Sequence, residues 1–237
     1  MYWFPDTSYK VLFMAMSFSP KPRSLTEWAY LSIKEQILDN KITTGSQLNI
    51  EELAKEMNIS RTPIREALLR LKQNGLVVSA ANVGFFVCGI TKRDFDDIFE
   101  LRQLIESYAV VKYVEKSNED DTQALINLHE QCKLEAEAGN AKVFNNYDVQ
   151  LHDTIINSVG NRKMLAIYSD VADLLYRLRV YAAKSSENIR QSLDEHEKII
   201  CAIKVKDSTL ARLVMEEHIL NIRARLEKIV EFEDDQA

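Results

Sequence analysis

The sequence predicts a mainly α-helical protein: an N-terminal winged helix-turn-helix with a small β-hairpin wing, then a C-terminal all-α antiparallel six-helix bundle. Three observations carry this reading. Two short helical patterns abut between Ser46 and Leu76, two β-prone runs follow around an Asn/Gly turn, and from Thr91 onward helical periodicity is almost unbroken.

The first observation is the sharpest. Ile50, Leu53, Ala54 and Met57 recur at helical spacing until Asn58-Ile59-Ser60 interrupts them. A second run then places Ile64, Ala67, Leu68 and Leu71 on one face and Arg61, Arg65 and Arg70 elsewhere. Ser60 or Thr62 can cap this second helix, Pro63 suits its first turn, and Gly75 ends it where a left-handed residue is needed. Two short helices with arginines at the start of the second have the layout of a helix-turn-helix. The helix N-terminus and the arginines favour phosphate, and an arginine fork also reads guanine. The alternative is an ordinary solvated helix face. Val77-Val78 and Phe85-Phe86-Val87, around Asn82 and Gly84, add the hairpin of a wing.

Ahead of this motif, Ser24 to Asn40 reads as a helix with a Ser24/Glu27 capping pattern and a stripe of Ala29, Ile33, Ile37 and Leu38. Lys41–Gln47 reads as a loop. Residues 1–20, MYWFPDTSYKVLFMAMSFSP, form a separate segment, expected to be poorly ordered and dispensable to about residue 16. Met14 and Met16 are alternative starts. The apolar run there lacks the basic end and cleavage site of a signal peptide.

Leu53-Ala54, Ser60-Arg61-Thr62-Pro63-Ile64-Arg65-Glu66-Ala67-Leu68, Leu71, Gly75-Leu76 and Gly84-x-Phe86-Val87 together resemble the DNA-binding domain of GntR-type transcription regulators, over about residues 24–90. The resemblance implies a DNA-binding set of Arg61, Thr62, Arg65, Arg70 and Gly84. Two departures stand out. Asn40 and Thr44 replace a usual glycine and proline, and the wing tip is poor in basic residues. Asn tolerates positive φ, so the first departure is mild.

Charge divides the chain. The net of −6 conceals an N-terminal part that is slightly basic, about +2 over residues 21–91, and a strongly acidic remainder. An acidic total is therefore compatible with DNA binding. Three widely spaced cysteines, Cys88, Cys132 and Cys201, give no disulfide framework and suit a reducing, cytoplasmic setting. No apolar run reaches membrane-spanning length.

The second domain, residues 91–237, reads as six helices: 91–116, 119–138, 142–159, 162–183, 187–204 and 207–232. They are separated by short polar breaks that imply antiparallel neighbours. Thr91 with Asp94 caps the first. Asp148 and His152, four apart, share a face with Phe144, Leu151 and Ile155. His196 and His218 also lie among apolar residues, and both fall about 15–18 Å from the turn near Val205, nearly level. Three inward imidazoles and one carboxylate suit a divalent metal with open positions: zinc first, nickel or manganese as alternatives. Each histidine alone would more often be structural, and His129, inward near Leu125 and Cys132, is read that way.

Phe99-x-Leu101-Arg102-x-x-Ile105-Glu106, Asp148-x3-His152, Gly160-Asn161, His196 and His218 resemble the effector domain of the FadR-like branch of GntR regulators, and six helices resemble its shorter VanR-type subgroup. The resemblance implies a metal held by Asp148, His152, His196 and His218, and a small carboxylate effector that completes its coordination. Arg102 is then either a carboxylate clamp or the ion-pair partner of Glu106. The expected molecule is a homodimeric, ligand-responsive regulator of inverted-repeat operator DNA, not an enzyme and not membrane-bound. A purely structural metal is one alternative. A metal-dependent hydrolase or lyase is another, but no HExxH-like motif supplies its base.

Overall fold

The computed structural model describes residues 22–80 and 83–234, which form two compact units divided between Gly89 and Ile90. The expectations for residues 1–20, and for Asn82 at the wing tip, lie outside the described residues.

In the first unit, α1 (Leu25–Leu38) starts at Ser24, whose Oγ accepts from the Glu27 amide at 3.1 Å. Glu27 reaches back to the Arg23 amide at 2.7 Å, so the cap is reciprocal but shifted by one residue. Asn40 then takes φ 55°, the conformation expected of a glycine substitute. The connection expected to be loop contributes a short strand, β1 (Gln47–Leu48). Asn49 caps α2 (Ile50–Glu56) through both the Glu51 and Glu52 amides. Helix α3 (Arg61–Gln73) begins after Ser60, which has the extended backbone of a cap but makes no capping hydrogen bond. Ile33 and Ile37 pack with Ile64, Leu68 and Leu71 in a fully buried core between α1 and α3. Gly75 closes α3 at φ 72°. The wing is β2 (Val77–Ala80) against β3 (Gly84–Val87) in antiparallel register, with β1 on the far side of β3, giving the order β1-β3-β2.

The second unit is helical. Its elements are β4 (Ile90–Thr91), α4 (Lys92–Lys116), α5 (Glu119–Glu137), α6 (Ala141–Asn157), α7 (Arg162–Asp170), α8 (Ala172–Ala182), α9 (Ser186–Lys204), α10 (Ser208–Leu226) and β5 (Phe232–Glu233). Thr91 caps α4 as expected, accepting from Asp94 at 3.0 Å. Asn118 and Asp121 form a full capping box on α5. α10 packs along α4, α6 along α5, and α9 between α10 and α5. Phe95, Phe99, Leu125, Leu151, Ile155, Ile199 and Met215 fill the space between them.

Two expectations change. The single helix over 162–183 is two, because Val171 leaves helical ψ (φ −102°, ψ −1°), and the described residues of this unit contain seven helical segments rather than six. The last helix stops at Leu226 instead of 232. Beyond it Phe232–Glu233 pairs in parallel with Ile90–Thr91, and the Phe232 ring lies 5.2 Å from Phe95, edge-on. Val230 and Phe232 alternate with Glu231 and Glu233, a period of two that a helix cannot use.

Candidate functional site

In the first unit, α3 carries Arg61, Thr62 and Arg65 exposed on its first turns. Arg65 makes no ion pair or hydrogen bond among the described residues. Arg61 pairs with Glu51 at 2.7 Å, with both side chains about two-thirds exposed, a contact easily exchanged for phosphate. Arg70 differs: its guanidinium stacks 4.0 Å above the Tyr30 ring, which holds it against α1. Gly84 has a structural reason to be glycine. Its φ is 138°, and a Cβ there would sit 3.1 Å from Nε2 of Gln47, which itself donates to the Val83 carbonyl. The wing's cation comes from the helix: Nζ of Lys72 meets Oγ of Ser79 on β2 at 2.5 Å.

In the second unit the predicted quartet comes together. Asp148 and His152 sit on one face of α6, His196 on α9 and His218 on α10. The three imidazoles are at most 1% exposed, with ring centroids 4.8–5.3 Å apart. One ring nitrogen from each lies within 4.8 Å of the others. Asp148 Oδ1 stands 3.5 Å from His196 Nε2.

Around this cluster is a shell of buried carboxylates, each held by an arginine. Nδ1 of His152 lies 2.7 Å from Oε2 of Glu106, and Nδ1 of His218 lies 2.8 Å from Oε2 of Glu195. A carboxylate at Nδ1 leaves Nε2 as the outward donor of a metal-ligating imidazole. Glu106 is anchored by Arg102 through Nε (2.7 Å) and Nη2 (3.4 Å) and by the Tyr168 hydroxyl (2.9 Å). Glu195 is anchored by both Nη atoms of Arg225 and by Asn221. Arg102 is thus ion-paired with Glu106, four residues on. His196 differs from the other two: neither of its ring nitrogens has a hydrogen-bond partner. His129 is also buried without partners, its ring centroid 6.2 Å from that of His196, and it lies outside the three-imidazole cluster.

Burial sets the charge state of the cluster. Burial, reinforced by the neighbouring His218, drives the His196 pKa well below the ordinary imidazole value. Burial also lowers His218, against the opposing pull of Glu195. Both rings are therefore neutral donors. For Asp148, burial favours the acid form, but the Arg179 guanidinium beside it outweighs this and the carboxylate stays ionised. Glu195 behaves the same way. Burial opposes its charge, yet the hydrogen bonds from Arg225 and His218 bring it down to about 2.

Sequence reasoning missed Glu195, Asn221, Arg225, Tyr168 and Arg179. Three of them had signals: His218, Asn221 and Arg225 recur at helical spacing, and Arg177 and Arg179 interrupt the otherwise apolar run Leu174–Ala182. A charge in such a run is buried and paired far more often than not.

Comparison with known proteins decides the family. Residues 97–221 match the FCD domain, and residues 25–87 match the bacterial regulatory proteins of the gntR family. This chain is a GntR-family transcription regulator with an FCD domain. The regulator is 26% identical over 203 residues to the gluconate operon transcriptional repressor of Bacillus licheniformis, covering 83% of each chain. It is 28% identical over 191 residues to the HTH-type transcriptional regulator McbR of Escherichia coli K12, covering 78% of this chain and 84% of McbR. Its fold matches the solved structure of E. coli McbR/YncC with a TM-score of 0.72 at 24% identity, over 86% of this chain and 98% of that one. A GntR regulator from Rhodococcus sp. RHA1 superposes with a TM-score of 0.75 at 14% identity, over 87% and 99%. These relatives are regulators, not enzymes, and no described helix of this one is long and apolar enough to cross a membrane.

Proposed function

We propose that this GntR-family regulator binds inverted-repeat operator DNA as a homodimer, and that its FCD domain holds one divalent metal ion that receives a small carboxylate effector. Asp148, His152, His196 and His218 would hold the ion. The carrying observation is the His196 imidazole, fully buried with both ring nitrogens unpartnered beside two more imidazoles and an ionised carboxylate. Buried polar groups are almost always satisfied, and a cation would satisfy the ring nitrogen that faces the cluster.

The donor set, three imidazole nitrogens and one carboxylate oxygen, suits zinc first, with nickel or manganese as alternatives where further positions stay open. Bound there, the ion supplies a Lewis-acidic centre for carboxylate oxygens. The chain's own residues do the rest. Glu106 and Glu195 orient His152 and His218, Arg102 and Arg225 hold those carboxylates in place, and Arg179 keeps Asp148 ionised. One relative is named for the gluconate operon, and gluconate is a hydroxycarboxylate of the class that chelates such an ion. Two winged domains related by a two-fold axis would read the two halves of the operator.

Titration of zinc, nickel and manganese into metal-free protein tests the site. At least one should bind wild type far more tightly than His152→Ala/His196→Ala. Equal binding to both removes the metal site from the proposal. A metal that stabilises the protein while no carboxylate adds further stabilisation would make the ion structural only.

A further inference from the structure

Arg179 holds Asp148 in an unusual way. On a guanidinium, Nε and Nη2 present two parallel N–H bonds along one edge, the geometry that grips a carboxylate at both oxygens. Arg102 uses this edge fully: Nε reaches Oε1 of Glu106 and Nη2 reaches Oε2. Arg179 uses only half. Its Nε donates to Asp148 Oδ2 at 2.7 Å, while Nη2 is buried without any hydrogen-bond partner. The second oxygen of Asp148 is turned away, 3.5 Å from Nε2 of His196. One contact thus withholds a carboxylate oxygen for the imidazole cluster and, on the same guanidinium edge, an N–H for something else.

We propose that this N–H of Arg179 receives a carboxylate oxygen of the effector, so that the ligand bridges the metal position and the guanidinium; the inference rests on the metal-and-carboxylate reading above and assigns its anion-binding residue. Nη2 lies on the edge that faces Asp148, so its free N–H runs alongside the one that meets this predicted ligand. No group among the described residues accepts from it. Tyr168 is committed to Glu106, and Glu106 is already met by Arg102, Tyr168 and His152. Asp153 feels the charge of Arg179 but does not accept from Nη2.

Local charge points the same way. Arg102 offsets Glu106, Arg225 offsets Glu195, and Arg179 offsets Asp148. Even with Asp153, whose carboxyl also feels Arg179, a divalent ion leaves net positive charge in a buried site, which favours an anionic ligand over a neutral sugar or alcohol. Arg102, with its fork closed on Glu106, is left as a positioning residue for His152.

The test uses full-length protein, zinc alone, and acetate as the simplest carboxylate, compared with chloride at equal ionic strength. Acetate should raise the melting midpoint of zinc-loaded wild type beyond the chloride control. In Arg179→Lys, which keeps the charge but loses the fork, and in Arg179→Gln, its apparent affinity should fall about tenfold or more. Zinc affinity is measured in parallel. Zinc binding with an acetate response indifferent to Arg179 overturns this assignment and leaves the metal reading standing. No zinc binding with an Arg179-dependent acetate response does the reverse. Acetate no better than chloride in wild type, with or without zinc, also overturns it. A wild-type structure determined with acetate needs no variant: a carboxylate oxygen must lie within hydrogen-bond reach of Nη2, and an acetate elsewhere sinks the proposal.

Discussion

Arg65 and Gly84 belong to the same resemblance, yet the structure gives them different work. Arg65 is exposed on the second turn of α3 with its guanidinium uncommitted, whereas Gly84 is fixed by its own backbone and by Gln47. Arg65→Ala should cost about 1–3 kcal/mol of operator binding and relax preference at one base pair, read by anisotropy at fixed salt against a scrambled site. Unchanged affinity and preference would remove Arg65 from recognition. Gly84→Ala should instead lower the unfolding midpoint, because a Cβ is forced into positive φ at a cost of about 1–3 kcal/mol. If that variant melts like wild type and loses only DNA affinity, Gly84 contacts DNA after all. The same contrast separates Arg102 from Arg179. Sequence spacing left the partner of Arg102 open, and its two hydrogen bonds to Glu106 answer that. The half-used fork of Arg179 has no counterpart in sequence, because it depends on where a single side chain stops turning.

Among elements, legibility followed periodicity. The helices α3, α4, α5, α6, α9 and α10 were readable because each keeps a long stripe, two of them with clear caps at Thr91/Asp94 and Asn118/Asp121. Asp148 and His152 were readable as a pair because four-residue spacing fixes a shared face, and the levels of His196 and His218 followed from helix rise. What escaped was short or long-range. β1 is two residues whose only reason to be extended is β3, and β5 exists because Phe232 finds Phe95 across the chain. Glu195 and Arg225 were invisible as a pair because 30 residues separate them. β5 makes its own prediction. Phe232→Ala should cost about 1–2 kcal/mol, less than the 3–5 of a fully buried Phe, since the ring is only half-buried. A urea midpoint indistinguishable from wild type would mean that β5 merely rests on the bundle.

For the whole molecule, the cluster ties stability to pH and metal together. The folded pKa values of His196 and His218 lie below those of the unfolded chain. The unfolded state therefore binds protons first as pH falls, and stability is lost from about 6.5 downward toward the folded values. Asp148, Glu106 and Glu195 are depressed carboxylates, so their contribution is present above about 4 and is lost below it; for Glu195 the loss runs down to about 2. Metal-free protein kept in chelator should accordingly melt at progressively lower temperature from pH 7 to pH 5, with a second decline below about pH 4. Added zinc should raise the midpoint at pH 7.5, and this increment should shrink through the same acidic range, because protons and metal compete for the same nitrogens. His196→Asn should flatten the first decline and abolish the zinc increment together. Operator binding without effector should follow neither trend closely, since the winged unit has its own core of Ile33, Ile37, Ile64, Leu68 and Leu71. A metal-free midpoint that stays level between pH 7 and 5 would show that the imidazoles are not held neutral in the bundle. A zinc increment that survives His196→Asn would place the ion elsewhere.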